Sequence, residues 1–128
     1  MGDLTKDFSK VEFKCGNKNK PCCGLFIENK ELIKKLQKLR NAVGVPITIN
    51  SGTRCKTRND SLKDSSPTSS HLTGKAADIT CRDMFLLRRY AYQIFDRIGI
   101  AKDFIHVDVD DTKIQLTDWL YPNPVRKS

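Results

Sequence analysis

The stretch Phe104-Ile-His-Val-Asp-Val-Asp110 constrains this chain more than any other. Successive side chains of a β-strand point to opposite faces, so Ile105, Val107 and Val109 line one side while His106, Asp108 and Asp110 line the other. Such a strand belongs to a sheet whose apolar face is covered and whose other face is polar. The polar face is where a site would sit.

Two segments have the pattern to cover the apolar face. In residues 28–43, Leu32, Ile33, Leu36, Leu39 and Val43 recur at helical spacing, with Lys30, Lys34, Lys35, Lys38 and Arg40 over much of the remainder. Gly44 closes this helix and Pro46 prevents its resumption. A second helix is predicted from Asp83, a natural N-cap, to Ile98, with Leu87, Tyr90, Ala91, Ile94, Phe95 and Ile98 on one face and Gly99 ending it. Residues 46–50 and 76–81 read as further strands, and Asp110-Asp-Thr-Lys113 as a turn into a fourth strand over 113–116. Residues 56–70, rich in Ser, Asp, Lys and Thr, read as a long surface loop. The expected class is α+β, a small, mainly antiparallel sheet with helices packed on one face. At 128 residues this is one domain, with a cysteine-bearing N-terminal arm over 1–24 and a C-terminal tail over 119–128.

Composition narrows the functional classes. The chain carries 23 basic and 15 acidic residues, net +8, with most of the excess before residue 65. A basic half concentrates polyanions, whether nucleic acid, an anionic membrane surface or an acidic cell wall. Aromatic residues are only 8% and do not interleave with the basic ones, so no nucleic-acid partner is expected. The longest stretch without a charged residue, 41–53, contains Gly, Pro and Asn, which excludes a membrane span. The first residues offer no apolar core or cleavage site for export, so the chain is expected to be cytoplasmic as synthesised. Five cysteines, an odd number, fit a reducing compartment. Cys15, Cys22 and Cys23 sit in a loop-like stretch that could hold a metal, a disulfide or plain thiols, and their spacing matches no standard zinc knuckle.

The two histidines carry the chemistry. His71 lies in Ser69-Ser-His-Leu-Thr-Gly-Lys-Ala-Ala-Asp78, and His106 lies on the polar face of the strand above. Two histidines and a carboxylate around one small sheet suit a catalytic zinc, because closed structural sites favour cysteine. From spacing alone, metal ligands and satisfied structural histidines are balanced readings.

Ser69-x-His71-x-x-Gly74-x-Ala76-x-Asp78, followed by His106-x-Asp108 and preceded by Ser51-Gly-Thr-Arg54, resembles the zinc D-alanyl-D-alanine carboxypeptidase family. That family includes the vancomycin-resistance dipeptidases and phage L-alanyl-D-glutamate endolysins, with the Hedgehog signalling domain as a relative. The likeness runs from about Phe13 to Trp119-Leu-Tyr121, and the type it resembles is the short single-domain one. The resemblance implies a Hedgehog-like sheet with a zinc cleft on its polar face. It implies one Zn²⁺ held by His71, Asp78 and His106, which acidifies a bound water. Asp103, three residues before the last ligand, would be the general base; a strict strand puts residues three apart on opposite faces, so Asp103 must sit in a turn. Arg54 would bind the substrate carbonyl and stabilise the oxyanion. Asp108 would orient a ligand imidazole, and Ser69 would bind substrate or orient His71. Trp119 and Tyr121 read as core or cleft wall. Where the best-known members carry tryptophan beside the last ligand, Phe104-Ile-His106 has none, so the vancomycin-type dipeptide pocket is not expected.

The implied activity is hydrolysis of a peptide bond in the peptidoglycan stem peptide, as a carboxypeptidase or endopeptidase, by a monomer. A wall-cleaving domain without an export signal fits a phage or prophage product that reaches the wall after release through a separate pore. The alternative of another class is a non-catalytic zinc-binding recognition module of the same fold.

Overall fold

A computed structural model describes residues 2–16, 22–62 and 66–121. Its elements in chain order are α1 (Lys10–Phe13), α2 (Lys30–Val43), β1 (Thr48–Ser51), α3 (Lys56–Ser61), a 3-10 turn (Ser70–Thr73), β2 (Ala76–Thr80), α4 (Met84–Ile94), β3 (Arg97–Ile100), β4 (Ile105–Asp108) and β5 (Thr117–Leu120). The strands form one five-stranded sheet in the order β1-β2-β4-β3-β5. Every pairing is antiparallel except β3 with β5. The class is α+β, as the sequence predicts.

The core lies between the sheet and the helices α2 and α4. Leu32, Ile33, Leu36, Leu39 and Val43 of α2 are buried, as are Leu87 and Ala91 of α4. They meet Ala77, Ile79, Ile98, Ile105 and Val107 from β2, β3 and β4. Burying each of the larger aliphatic side chains stabilises the fold by about 1.5–3 kcal/mol. The helix ends follow their sequence signals. Asn29 caps α2 by accepting from the Leu32 N–H, and Gly44, at φ 74°, closes it with an N–H bond to the Arg40 carbonyl. Asp83 caps α4 by accepting from the Leu86 N–H.

Three expectations are corrected. The second helix stops at Ile94, and Arg97–Ile100 is a strand beside β4. Ile98 sits one helical turn beyond Ile94 and is buried in the same core, so periodicity could not separate a longer helix from a strand returning beneath it. Residues 113–116 form no strand; the fifth strand begins at Thr117. Side chains take the carbonyls a ladder there would use: Arg97 Nη1 donates to Ile114 O (2.6 Å), and the Gln115 amide donates to Asp110 O and Lys113 O (2.9 and 2.7 Å). Leu116, at φ 53°, turns the chain into β5. The 56–70 stretch is not all loop, since α3 occupies Lys56–Ser61.

Within 1–24, Phe8 and Phe13 are buried in the main core, with rings 6.0 Å apart, so that segment contributes to the core. Trp119 and Leu120 of the expected tail belong to β5, and residues 122–128 lie outside the described residues. No helix among the described residues is long and apolar enough to cross a membrane.

Candidate metal centre

The sheet register builds the site. β2 and β4 pair so that Asp78 stands directly opposite His106 and Ala76 opposite Asp108. Ala77, Ile79, Ile105 and Val107 thereby face the core, and Asp78, His106 and Asp108 share the other face. That face is not open to solvent: His106 is 5% exposed and Asp108 1%. His71 arrives from the 3-10 turn just before β2. Ser69 Oγ accepts from the His71 N–H (3.2 Å), and Gly74, at φ 71°, closes the turn with its N–H on the His71 carbonyl (3.3 Å). A Cβ on Gly74 would collide with the Ile27 carbonyl, so the motif's glycine is required for conformation and for space.

The segment Ser51-Gly-Thr-Arg54 is fixed residue by residue. Gly52 O accepts from His71 Nδ1 at 2.7 Å. Thr53 Oγ1 accepts from the Ile27 N–H at 3.0 Å, and the Thr53 N–H donates to Phe13 O at 2.8 Å. The Arg54 N–H donates to His71 O at 3.0 Å. The β1–β2 register slips between Ile49 and Ser51, a bulge that sets Ser51 opposite Asp78. Arg54 is buried, its side chain 11% exposed, and its guanidinium donates to Asn59 Oδ1 (3.0 Å) and Ser51 Oγ (3.3 Å) and lies 3.6 Å from Asp78 Oδ2.

Hydrogen bonding fixes the free nitrogen of each imidazole. A carbonyl only accepts, so His71 Nδ1 carries a proton toward Gly52 and presents Nε2 inward. His106 Nε2 donates to Asp108 Oδ2 at 2.7 Å and presents Nδ1 inward. His71 Nε2 and His106 Nδ1 lie 3.2 and 3.1 Å from Asp78 Oδ1, and the two rings are 5.1 Å apart at 72°. The three side chains can each offer a ligand atom within 4.8 Å of the others. Two neutral imidazole nitrogens and one carboxylate oxygen, each imidazole anchored from behind, form a donor set that fits zinc.

The electrostatics agree with a cation site. Burial would raise the Asp78 pKa, but His71 and His106 together hold it well below the usual carboxylate range. Burial would lower that of His106, and hydrogen bonds to Asp108 and Asp78 raise it instead. Burial lowers the pKa of Arg54 against the opposing pull of Asp78. Tyr121 is pushed up to about 12 by burial and the Asp78 charge.

Of the residues singled out in the sequence, His71, Asp78, His106, Arg54, Asp108 and Ser69 are linked by these bonds. Asp103 is not part of that network. It is exposed in the bend entering β4, and its carboxylate makes no hydrogen bond or ion pair with a described residue. Arg97 is an addition. Its Nε donates to Asp108 Oδ1 at 2.7 Å and its guanidinium lies 5.0 Å from the Trp119 ring centre, completing a chain from Trp119 through Arg97 and Asp108 to His106. No local motif marks Arg97, because register with Asp108 across β3 and β4 brings it there. The Trp119 and Tyr121 rings lie 5.4 and 6.3 Å from that of His106 and form a wall beside it, so β5 supplies an indole that Phe104-Ile-His106 lacks.

A family model described as Peptidase M15 matches residues 3–108, which include His71, Asp78, His106 and Arg54. No curated protein is matched by the chain. With four-fifths of its length matched and a donor set suited to the zinc such enzymes use, the chain belongs to the Peptidase M15 family of metallopeptidases.

Proposed function

We propose that this M15 peptidase hydrolyses a peptide bond in the stem peptide of bacterial peptidoglycan, as a D,D-carboxypeptidase or murein endopeptidase, with one zinc held at His71 Nε2, Asp78 and His106 Nδ1. The observation that carries this reading is the convergence of those three donors beside a buried guanidinium. When bound, the zinc supplies Lewis acidity toward a carbonyl and lowers the pKa of a coordinated water.

The chain's own residues do the rest. Asp103 takes the proton of the attacking water and returns it to the leaving amine. Its place in the bend ahead of β4 frees it from the pleat that would set it opposite His106, and its exposure leaves the carboxylate available. Arg54 Nη donors bind the scissile carbonyl and stabilise its oxyanion; Asn59 and Ser51 fix the fork, so little reorganisation remains for the reaction itself. Asp108 keeps the proton of His106 on Nε2, and Ser69 holds the turn that carries His71. The net charge of +8 favours an anionic wall, which a phage or prophage product would reach after release.

The test is mass spectrometry of purified sacculi digested with zinc-loaded protein, beside chelator-treated and Asp103→Asn controls. New peptide termini that require zinc and Asp103 are expected, and they identify the bond. Absence of cleavage by folded, zinc-loaded protein overturns the enzyme reading on this substrate in favour of a zinc-binding recognition module.

A further inference from the structure

A second cluster of metal-binding side chains lies outside the histidine site. Cys15, Cys22, Cys23 and Cys55 each offer a sulfur within 4.8 Å of the other three. We propose that these four thiols form a structural tetrathiolate zinc centre, separate from the histidine site, that staples the N-terminal segment to the loop carrying Arg54.

Three observations support it. The first is the number and kind of donors, since four cysteine sulfurs complete a closed tetrahedral zinc shell with no position left for water. The second is spacing. A Zn–S bond of about 2.3 Å implies sulfurs about 3.8 Å apart along a tetrahedral edge; Cys22 Sγ and Cys55 Sγ are 3.7 Å apart, and all four cysteines are unbridged. The third is backbone support. The Cys55 N–H donates to Cys15 Sγ at 3.2 Å and the Arg58 N–H to Cys55 Sγ at 3.4 Å, which stabilises thiolates and orients them.

Cys55 is what the spacing of the other three could not reveal. It lies 32 positions beyond Cys23, and the fold delivers it because Phe13 O accepts from the Thr53 N–H, holding residues 13–15 against residues 53–55. Cys55 follows Arg54 directly, so the staple fixes the backbone from which the guanidinium reaches Asp78. Binding is a simple exchange: four thiols release four protons, Zn²⁺ takes four thiolates, and the site gains a net charge of −2 with no redox step. Together with the histidine site, this brings the zinc content to two ions per chain.

The experiment is metal analysis and cobalt spectroscopy of protein purified under reducing conditions. The expected result is two zinc ions per chain in the wild type. One is expected in Cys22→Ser/Cys23→Ser, which alters exposed side chains only, and one in His71→Ala/His106→Ala. Cobalt-substituted wild type should show intense thiolate-to-cobalt charge transfer, which the histidine variant retains and the cysteine variant loses. A wild type that binds one metal without thiolate charge transfer, or whose loaded form keeps all its thiols reactive, overturns the proposal even if the variants do not fold. A mass deficit of a disulfide in the reduced preparation overturns it as well. Loss of the histidine-bound metal alone would count against the peptidase site and leave the tetrathiolate centre standing.

Discussion

Asp78 and His106 face each other across the β2–β4 ladder, with Asp78 Oδ1 3.1 Å from His106 Nδ1. Directly opposed residues on an antiparallel pair are the closest neighbours a sheet provides, so hydrogen-bonding register alone brings two of the three donors together. The same register ties the site to the core, because a one-residue slip of β2 would turn Ile79 away from the core as it turned Asp78 into it. The arrangement is therefore expected to be lost only with the fold, while its affinity for a metal should depend on what lies behind each candidate ligand.

Asp108 is the first such residue. Its carboxylate accepts from His106 Nε2 and from Arg97 Nε, both at 2.7 Å, and its side chain is fully buried. Asp108→Asn keeps the shape but removes the charge that holds His106 in the tautomer presenting Nδ1 toward Asp78. Zinc affinity, measured by competition with a chromophoric chelator, is expected to fall about 10–100-fold. Asp108→Ala leaves the Arg97 guanidinium buried without its carboxylate, and denaturant unfolding should show a loss of about 3–5 kcal/mol.

Much of this was legible in the sequence. The alternation through His106 reported a sheet with an apolar and a polar face, and the helical spacing of Leu32 to Val43 reported its cover. His71 and His106 stood out as the chain's only histidines, and the resemblance of the Ser69–Asp78 and His106–Asp108 motifs to a zinc peptidase family is what implied Asp78 as the third ligand. Tertiary partners were not legible. Arg97 was hidden in an apolar run that fits helix and strand equally, and Ile114 and Gln115 alternate like a strand until side chains claim the local carbonyls. Cys55 gains meaning only once a buried Phe13 brings Cys15 beside it.

Gly99 sits opposite His106 on β3 beneath the Trp119 and Tyr121 rings. A Cβ there would lie 2.5 Å from Trp119 Nε1 and from Tyr121 Cε2, so Gly99→Ala must push both rings off the metal-site wall. A cost of about 1–3 kcal/mol is expected from this overpacking. Trp119 is the chain's only tryptophan, so its fluorescence reports the displacement directly: the emission maximum should shift to longer wavelength in the variant. An unchanged spectrum with unchanged stability would contradict the packing described.

Asp110 predicts the acid limb of stability. Burial would raise its pKa, but hydrogen bonds from Thr112 and Ser70 and the Lys113 charge hold it at about 2, against 3.8 for a free carboxyl. A depressed folded-state pKa contributes stability that is complete above the unfolded value and is lost as pH falls through the folded one. The window is therefore pH 4 down to 2, and the loss is about 2 kcal/mol. Asp110→Asn should be less stable than wild type at pH 7, and the difference in unfolding free energy should shrink across that window.

Arg54 distinguishes catalysis from architecture. Its guanidinium reaches Asn59, Ser51 and Asp78 at once, a fork that lysine cannot reproduce although it carries the same charge. Arg54→Lys keeps a positive charge on the side chain that neighbours Asp78, so zinc content should be retained. If Arg54 stabilises the oxyanion, kcat on isolated stem peptides should fall about 10²–10³-fold with little change in KM, because the lost interaction belongs to the transition state. A rise in KM at constant kcat would instead assign Arg54 to holding the substrate equally in ground and transition states. Loss of zinc from the lysine variant would show that the guanidinium chiefly positions Asp78.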